Sequence, residues 1–330
     1  MKRSNIINLI SRLAAGMSAS MSALLFGATA LAQDYPTKPI RMVIPIGVGG
    51  DTDLLARTIS EGLSRQFGQA VVPENRVGGA GLVAASSVAS APADGYTLMF
   101  ANTSLFISPF LTRNVTFDAQ NAFVPVATIG RTGWALLTNA EFAPRNLTEL
   151  IAVVKASPGK YSYSSGGSGT TSHLSFEIIK SAAGLDILHV PYKGGGDGNL
   201  AVLRNDVQMT LNNAVFARSN PGKIRVIATT GDTRSTAEAE VPNLKEGGLN
   251  VSIYVWMGVV ASAKTPRPII DRLNRAINDA IRVPETNAII NKKFGYEIKL
   301  ETPEQVGAFM DAEFAKWGTA VKLAGIKPTD

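Results

Sequence analysis

One pattern recurs along this chain: a short apolar run, a loop of glycine and small polar residues, then an amphipathic segment. Residues 40–46 form the first run and lead into Gly47-Val48-Gly49-Gly50-Asp51-Thr52. Residues 53–67 follow, with Leu54, Leu55, Ile59, Leu63 and Phe67 on one helical face. Residues 71–73 make a second short run, Gly78-Gly79-Ala80-Gly81 opens another helix, and residues 96–101 end in Asn102-Thr103-Ser104. A second series begins near Trp134. It comprises a helix over 147–156 with Asn146 as N-cap, a strand at 161–163, a loop and helix to 182, and a strand at 187–190. The turn 191–196, a helix to Arg204, a strand at 207–211 ending in Asn212-Asn213, and a strand at 224–229 complete it. Strand–loop–helix alternation at this spacing predicts α/β architecture with mostly parallel, doubly wound sheets. Ligands of such sheets lie beyond the carboxyl ends of the strands.

Residues 230–250, rich in Glu, Thr, Pro and Gly, read as a connection. Apolar character returns at 251–260, and helices follow near 266–282 and 303–323. Two βα series with a return segment predict two lobes. Residues 33–134 begin lobe 1, residues 135–250 form lobe 2, and residues 251–330 return to lobe 1 and supply the C-terminal helices.

The N-terminus predicts export. Lys2, Arg3 and Arg12 precede an apolar, small-residue run that closes on Ala30-Leu31-Ala32, so residues 1–32 read as a cleavable signal peptide. Without those three cations the formal charge of +6 becomes +3, which gives no reason to expect a nucleic-acid partner. The chain has no cysteine, so disulfides, thiolate metal sites, a cysteine nucleophile and a lipid-anchoring cysteine are all excluded.

The loop over residues 164–174, SSGGSGTTSHL, carries the most chemical information. Glycines expose backbone N–H groups, and the start of the next helix adds unpaired N–H groups and partial positive charge. Ser165, Gly166, Gly167, Thr170, Thr171 and His173 therefore describe a cradle for a small anion, although the same composition suits an ordinary βα loop. A second loop of the same design, Gly47, Val48, Gly49, Gly50 and Thr52, favours the cradle. Asp53 fits a helix cap.

Other chemistries fit less well. The Gly47 loop occupies the position of a dinucleotide fingerprint, and a secreted nucleotide-dependent oxidoreductase is the alternative reading, but Thr52 stands where that motif needs glycine. Ser168 lacks the second glycine of a G-x-S-x-G elbow. Only two histidines exist: His173 on the helix after the loop, and His189 within an apolar strand, read as packed and hydrogen-bonded. No metal-ligand spacing is present. No catalysis, cofactor or metal is expected.

The ordered set Tyr35-Pro36-Thr37-Lys38-Pro39-Ile40-Arg41, Gly49–Asp53, Glu74-Asn75-Arg76, Ala93-Asp94-Gly95-Tyr96-Thr97-Leu98, Thr171-Ser172-His173-Leu174, His189-Val190-Pro191-Tyr192-Lys193-Gly194 and Gly325-Ile326-Lys327 resembles the Bug proteins. These are TctC-like extracytoplasmic solute receptors of tripartite tricarboxylate transporters. The resemblance implies a two-lobed, type II-like periplasmic binding protein, each lobe a doubly wound sheet, closing on a small carboxylate without chemistry. It also implies membrane transporter subunits as partners, a periplasmic location and a monomeric receptor. Carried over, the contacts fall at Gly47–Thr52, Asn102, Thr103 and Ser104 in lobe 1, and at residues 165–173, Asn212 and Asn213 in lobe 2. Two departures stand out. Ile46-Gly47-Val48-Gly49-Gly50 replaces the family's Phe-Pro-Pro-Gly-Gly, and Asn212-Asn213 replaces Asp-Asn, which disfavours amino-acid ligands.

Neither cradle contains Arg or Lys, so a tricarboxylate would bring charge without a matching cation unless Arg131 reached it. Phe106 and Trp256 are expected to form flat apolar walls. Together these features predict a mono- or dicarboxylate with an apolar body, of a benzoate or terephthalate type, rather than citrate.

Overall fold

The computed structural model describes residues 35–49, 51–234 and 238–329. The expected signal peptide and Gly50 lie outside the described residues. Two five-stranded sheets organise the rest. Lobe 1 contains β1 (Ile40–Ile44), α1 (Asp51–Phe67), β2 (Val71–Asn75), α2 (Leu82–Ala89), β3 (Thr97–Asn102), α3 (Ser104–Leu111) and β4 (Phe123–Gly133). Lobe 2 contains β5 (Ala135–Asn139), α4 (Leu147–Lys155), β6 (Ser162–Ser165), α5 (Thr171–Ala183), β7 (Leu188–Pro191), α6 (Gly195–Leu203), β8 (Met209–Asn212) and β9 (Ile224–Thr229). The chain then returns to lobe 1 through β10 (Tyr254–Ser262), α7 (Arg267–Arg282) and α8 (Pro303–Leu323).

The sheet orders are β2-β1-β3-β10-β4 and β7-β6-β8-β5-β9. The expected parallel pairing holds for β2-β1-β3 and β7-β6-β8, while β10 and β5 are antiparallel to both their neighbours. Each sheet is therefore mixed, for a topological reason. Strands β3 and β8 end at the face between the lobes, whereas β5 and β10 enter their lobes from that face and must run the other way. The register shows this directly: Ala135, which begins β5, pairs with Asn212, which ends β8.

Burial follows the predicted helical face in part. Leu55, Ile59 and Leu63 of α1 are fully buried beside Ile40, Met42, Phe100 and Ile277, whereas Leu54 stays over a third exposed. Two elements lacked a sequence signal. Strand β4 contains Pro125 and α3 contains Pro109, residues that ordinarily weaken such assignments. A second core runs through both lobes, joining Phe106, Trp256 and Trp317 of lobe 1 to Tyr163, Leu174 and Phe176 of lobe 2. The long helix α8 packs on α3, β4 and α5 and so spans both. Its start is secured by a capping box between Thr302 and Gln305.

Two crossings join the lobes, Trp134 between β4 and β5 and residues 230–253 between β9 and β10. They touch: a Cβ on Gly133 would stand 2.6 Å from Gly231 N, so only glycine fits there. Fully buried Thr230 ties them. Its hydroxyl accepts the Trp134 N–H at 2.8 Å and donates to the Ile253 carbonyl at 2.8 Å, and its backbone pairs with the same two residues. Replacing Thr230 by valine keeps the shape and removes both hydroxyl bonds. The expected loss is about 1–3 kcal/mol of unfolding free energy, read as a lower urea midpoint; an unchanged midpoint would count against this role.

Candidate functional site

The loops after β1, β3, β6 and β8 all emerge toward the space between the lobes. The lobes meet there at two places. Gly169, at φ +79°, lies against Leu111 of α3, and an added Cβ would stand 2.7 Å from Leu111 Cδ1. On the other flank the Asn213 amide nitrogen comes near Gly295, 3.6 Å from where a Cβ would be. A cavity of about 290 Å³ opens between α3 with Ala80 on one side and residues 168–171 on the other. Among the described residues no charged side chain lines it.

The lobe 2 loop is held from behind. His173, expected at the ligand, is instead 5% exposed, and its Nδ1 accepts the Gly169 N–H at 3.0 Å. The neutral ring therefore carries its proton on Nε2. Ser165 is likewise buried: its Oγ lies 2.7 Å from His189 Nε2 and accepts the Gly167 N–H at 3.2 Å. This serine–histidine pair has the spacing of a nucleophile and base, but the serine lies inside and no carboxylate orients the imidazole. The two imidazoles stack at 3.7 Å and 9°, and Tyr163 continues the column at 4.9 Å from His189. Thr170 Oγ1 donates to the Gly167 carbonyl at 2.7 Å, which leaves its hydroxyl proton engaged within the loop. Ser168 and Thr171 keep hydroxyls with no partner among the described residues. The first turn of α6, which the sequence did not mark as part of the site, backs Gly166: a Cβ there would stand 3.2 Å from Gly195 N.

In lobe 1 the chain uses some of its own donors. Gly49 N–H donates to Asp53 at 2.9 Å, and that buried carboxylate also receives Arg57 and the Asn75 amide. The Arg57 hydrogen bond is the main cause holding Asp53 down at about 2. Helix α1 starts at Asp51, so Asp53 braces the loop from the first turn. Gly47 and Val48 are exposed, and Thr52 is buried within 3.4 Å of the Asn102 amide. Asn102 Oδ1 accepts from both the backbone N–H and hydroxyl of Ser104.

Three residues expected as ligand contacts are buried and packed. Thr103 is 2% exposed and accepts the Trp256 backbone N–H at 2.9 Å. Trp256 is fully buried, with its ring on Phe106 at 5.2 Å and its indole N–H directed to Thr128. Phe106 is 1% exposed. Trp256 lies in β10 between β3 and β4, and its large apolar area stabilises the fold most when it fills the space beneath α8. Arg131 is engaged as well, bound to Glu301 at 2.6 Å and lying over Phe309. In lobe 2, Asn212 donates to Asn199 and accepts the Asn213 N–H, while Asn213 Oδ1 accepts the Val215 N–H. The Asn213 amide nitrogen remains as a donor facing lobe 1. No group of three or more metal-ligating side chains occurs among the described residues.

A two-lobed α/β fold, with neutral glycine and hydroxyl loops facing across a crevice, is the geometry of a solute receptor. Residues 55–326 match the family model described as TctC, tripartite tricarboxylate transporter family receptor. The chain belongs to this family. It is 32% identical to protein BugT of Bordetella pertussis over 303 residues, covering 90% of this chain and 92% of BugT. Among solved structures it is similar to R. palustris Rpa4515 with adipate, at a TM-score of 0.73 and 30% identity over 90% of this chain and 100% of that one. It is also similar to MatC (Rpa3494) from Rhodopseudomonas palustris with bound malate, at 0.69 and 25% over 87% and 100%.

For a TctC receptor the stacked histidines have a measurable consequence. Burial, followed by repulsion from His173, pushes His189 down from 6.5 to about 4, and burial lowers His173 too. Glu177 opposes both shifts and Lys180 reinforces them. The folded chain thus prefers neutral rings, while the unfolded chain takes up protons from about pH 6.5 downward. Stability should fall as pH falls from 6.5 toward 4. The Asp53 contribution is lost in a separate window, from 3.8 toward 2. Melting temperature against pH should show the first decline in the natural protein and a shallower one in His189→Gln. Equal slopes would rule out the histidine as its source.

Proposed function

We propose that this protein is a periplasmic receptor that captures a small mono- or dicarboxylate between its lobes and presents it to the membrane subunits of a tripartite transporter. It performs no chemistry on the ligand. The observation that carries this reading is the cavity between α3 and residues 168–171, where the hydroxyls of Ser168 and Thr171 keep no partner and, among the described residues, no charged side chain lines the space. Thr171 lies at the start of α5, where the helix adds unpaired N–H groups and partial positive charge. One carboxylate can be held there by neutral donors. The Asn213 amide across the cleft suits a second. A third charge would have no cation to meet, because Arg131 is bound to Glu301. The similar proteins carry adipate and malate, which are both dicarboxylates. Periplasmic location rests on the secretory reading of residues 1–32.

A ring-shaped ligand of the terephthalate type loses its main support, because Phe106 and Trp256 lie in the core. Thermal shift and calorimetry over acetate, succinate, adipate, terephthalate and citrate test the reading. Saturable binding of mono- or dicarboxylates is expected, and citrate binding tighter than all of them would overturn it. Replacing Thr171 by valine should weaken the bound carboxylate by about 1–3 kcal/mol without lowering the melting temperature. Small-angle scattering should show a smaller radius of gyration at saturating ligand, and no contraction would speak against closure of the lobes.

A further inference from the structure

Most of the cavity wall is not engaged by a carboxylate head. Ser104, Ile107, Ser108 and Leu111 fall at helical spacing on one face of α3, and this face forms the lobe 1 wall. Three of the hydroxyl protons along the bay are directed into the protein, while Ser168 and Thr171 at its lobe 2 edge keep theirs. Ser104 donates to Asn102 at 2.5 Å, Ser108 to the Ala80 carbonyl at 2.7 Å, and Thr170 to the Gly167 carbonyl at 2.7 Å. What borders the open space from α3 is therefore chiefly hydrocarbon, that of Leu111 and the edge of the otherwise buried Ile107. The floor is set by Leu111 against Gly169, a contact that only a residue without Cβ permits. At about 290 Å³, and with roughly 30 Å³ for each water-sized atom, the bay has room for about ten such atoms, more than a carboxylate group needs.

We propose that this bay is a tail pocket, in which Ile107 and Leu111 receive an uncharged aliphatic chain extending from the bound carboxylate, so that the receptor selects ligands by chain length. The inference rests on the carboxylate reading above and adds the class of ligand. An aliphatic chain gains from burial against these methyl groups. A charged group placed against Ile107 and Leu111, away from the Ser168 and Thr171 hydroxyls, would meet hydrocarbon and would be disfavoured.

Calorimetry on the receptor with acetate, butanoate, hexanoate and octanoate tests this directly and needs no variant. Affinity should rise about fourfold for each methylene buried, then level off when the bay is full. Leu111→Ala should flatten this rise, lowering hexanoate affinity by a larger factor than acetate affinity, whereas Thr171→Val should weaken all four ligands by the same factor. A series that binds with no dependence on chain length would overturn the tail pocket and leave the carboxylate reading standing. So would Leu111→Ala weakening acetate and hexanoate alike. Failure of all four acids to bind, with succinate and adipate also silent, would remove both readings together.

Discussion

The buried hydroxyl of Thr230 holds the two lobe crossings side by side, and the geometry of the cleft depends on it. The crossings run so close that glycine is required at 133, with Gly231 opposite. Two backbone segments at that distance leave little room for water between them, and an unpaired buried polar group would be costly. Thr230 supplies those pairs from its side chain and its backbone at once. From this junction the strand directions follow. Strands that enter a lobe from the hinge run opposite to those that end at the cleft, and the ligand loops are thereby gathered on one face.

The cleft itself is neutral, and its loops are stiffened by charged or titratable groups kept out of it. Asp53 braces the lobe 1 loop through the Gly49 amide. His173 and His189 brace the lobe 2 loop through Gly169 and Ser165. Both devices spend donors or acceptors that would otherwise be open, so fewer amides face the ligand than the glycine count suggests. The benefit is preorganisation: a loop already held in shape loses less entropy when a ligand arrives. In the proposed binding mode, neutral donors would hold a carboxylate without drawing in every small anion that a fixed cation would attract.

Much of this was legible in the residue order. The strand–loop–helix rhythm predicted α/β architecture and two lobes, and the family motifs pointed to a TctC-like receptor. Strand β4 and helix α3 were not legible, because each contains a proline and acquires its structure from neighbours: β4 from pairing with β10, α3 from packing on α8. The first turn of α6 was missed as part of the site because Gly195 joins it through contact with Gly166, nearly thirty positions away.

The sequence alone determined where loops of glycine and small hydroxyl residues follow the strands, since those residue types cannot build a core and end the apolar runs. Only the tertiary structure decided which donors remain free and which walls the ligand meets. Phe106 and Trp256 have the chemistry of a cleft wall, yet the sheet order sends them inward, where burial stabilises the fold more than an open cleft allows. Ile107, next to Phe106 in the chain, is turned by the helical advance toward the cavity instead. Both are buried, but only Ile107 also borders the cavity, and that difference is made by the packing of the helix, which no local pattern contains.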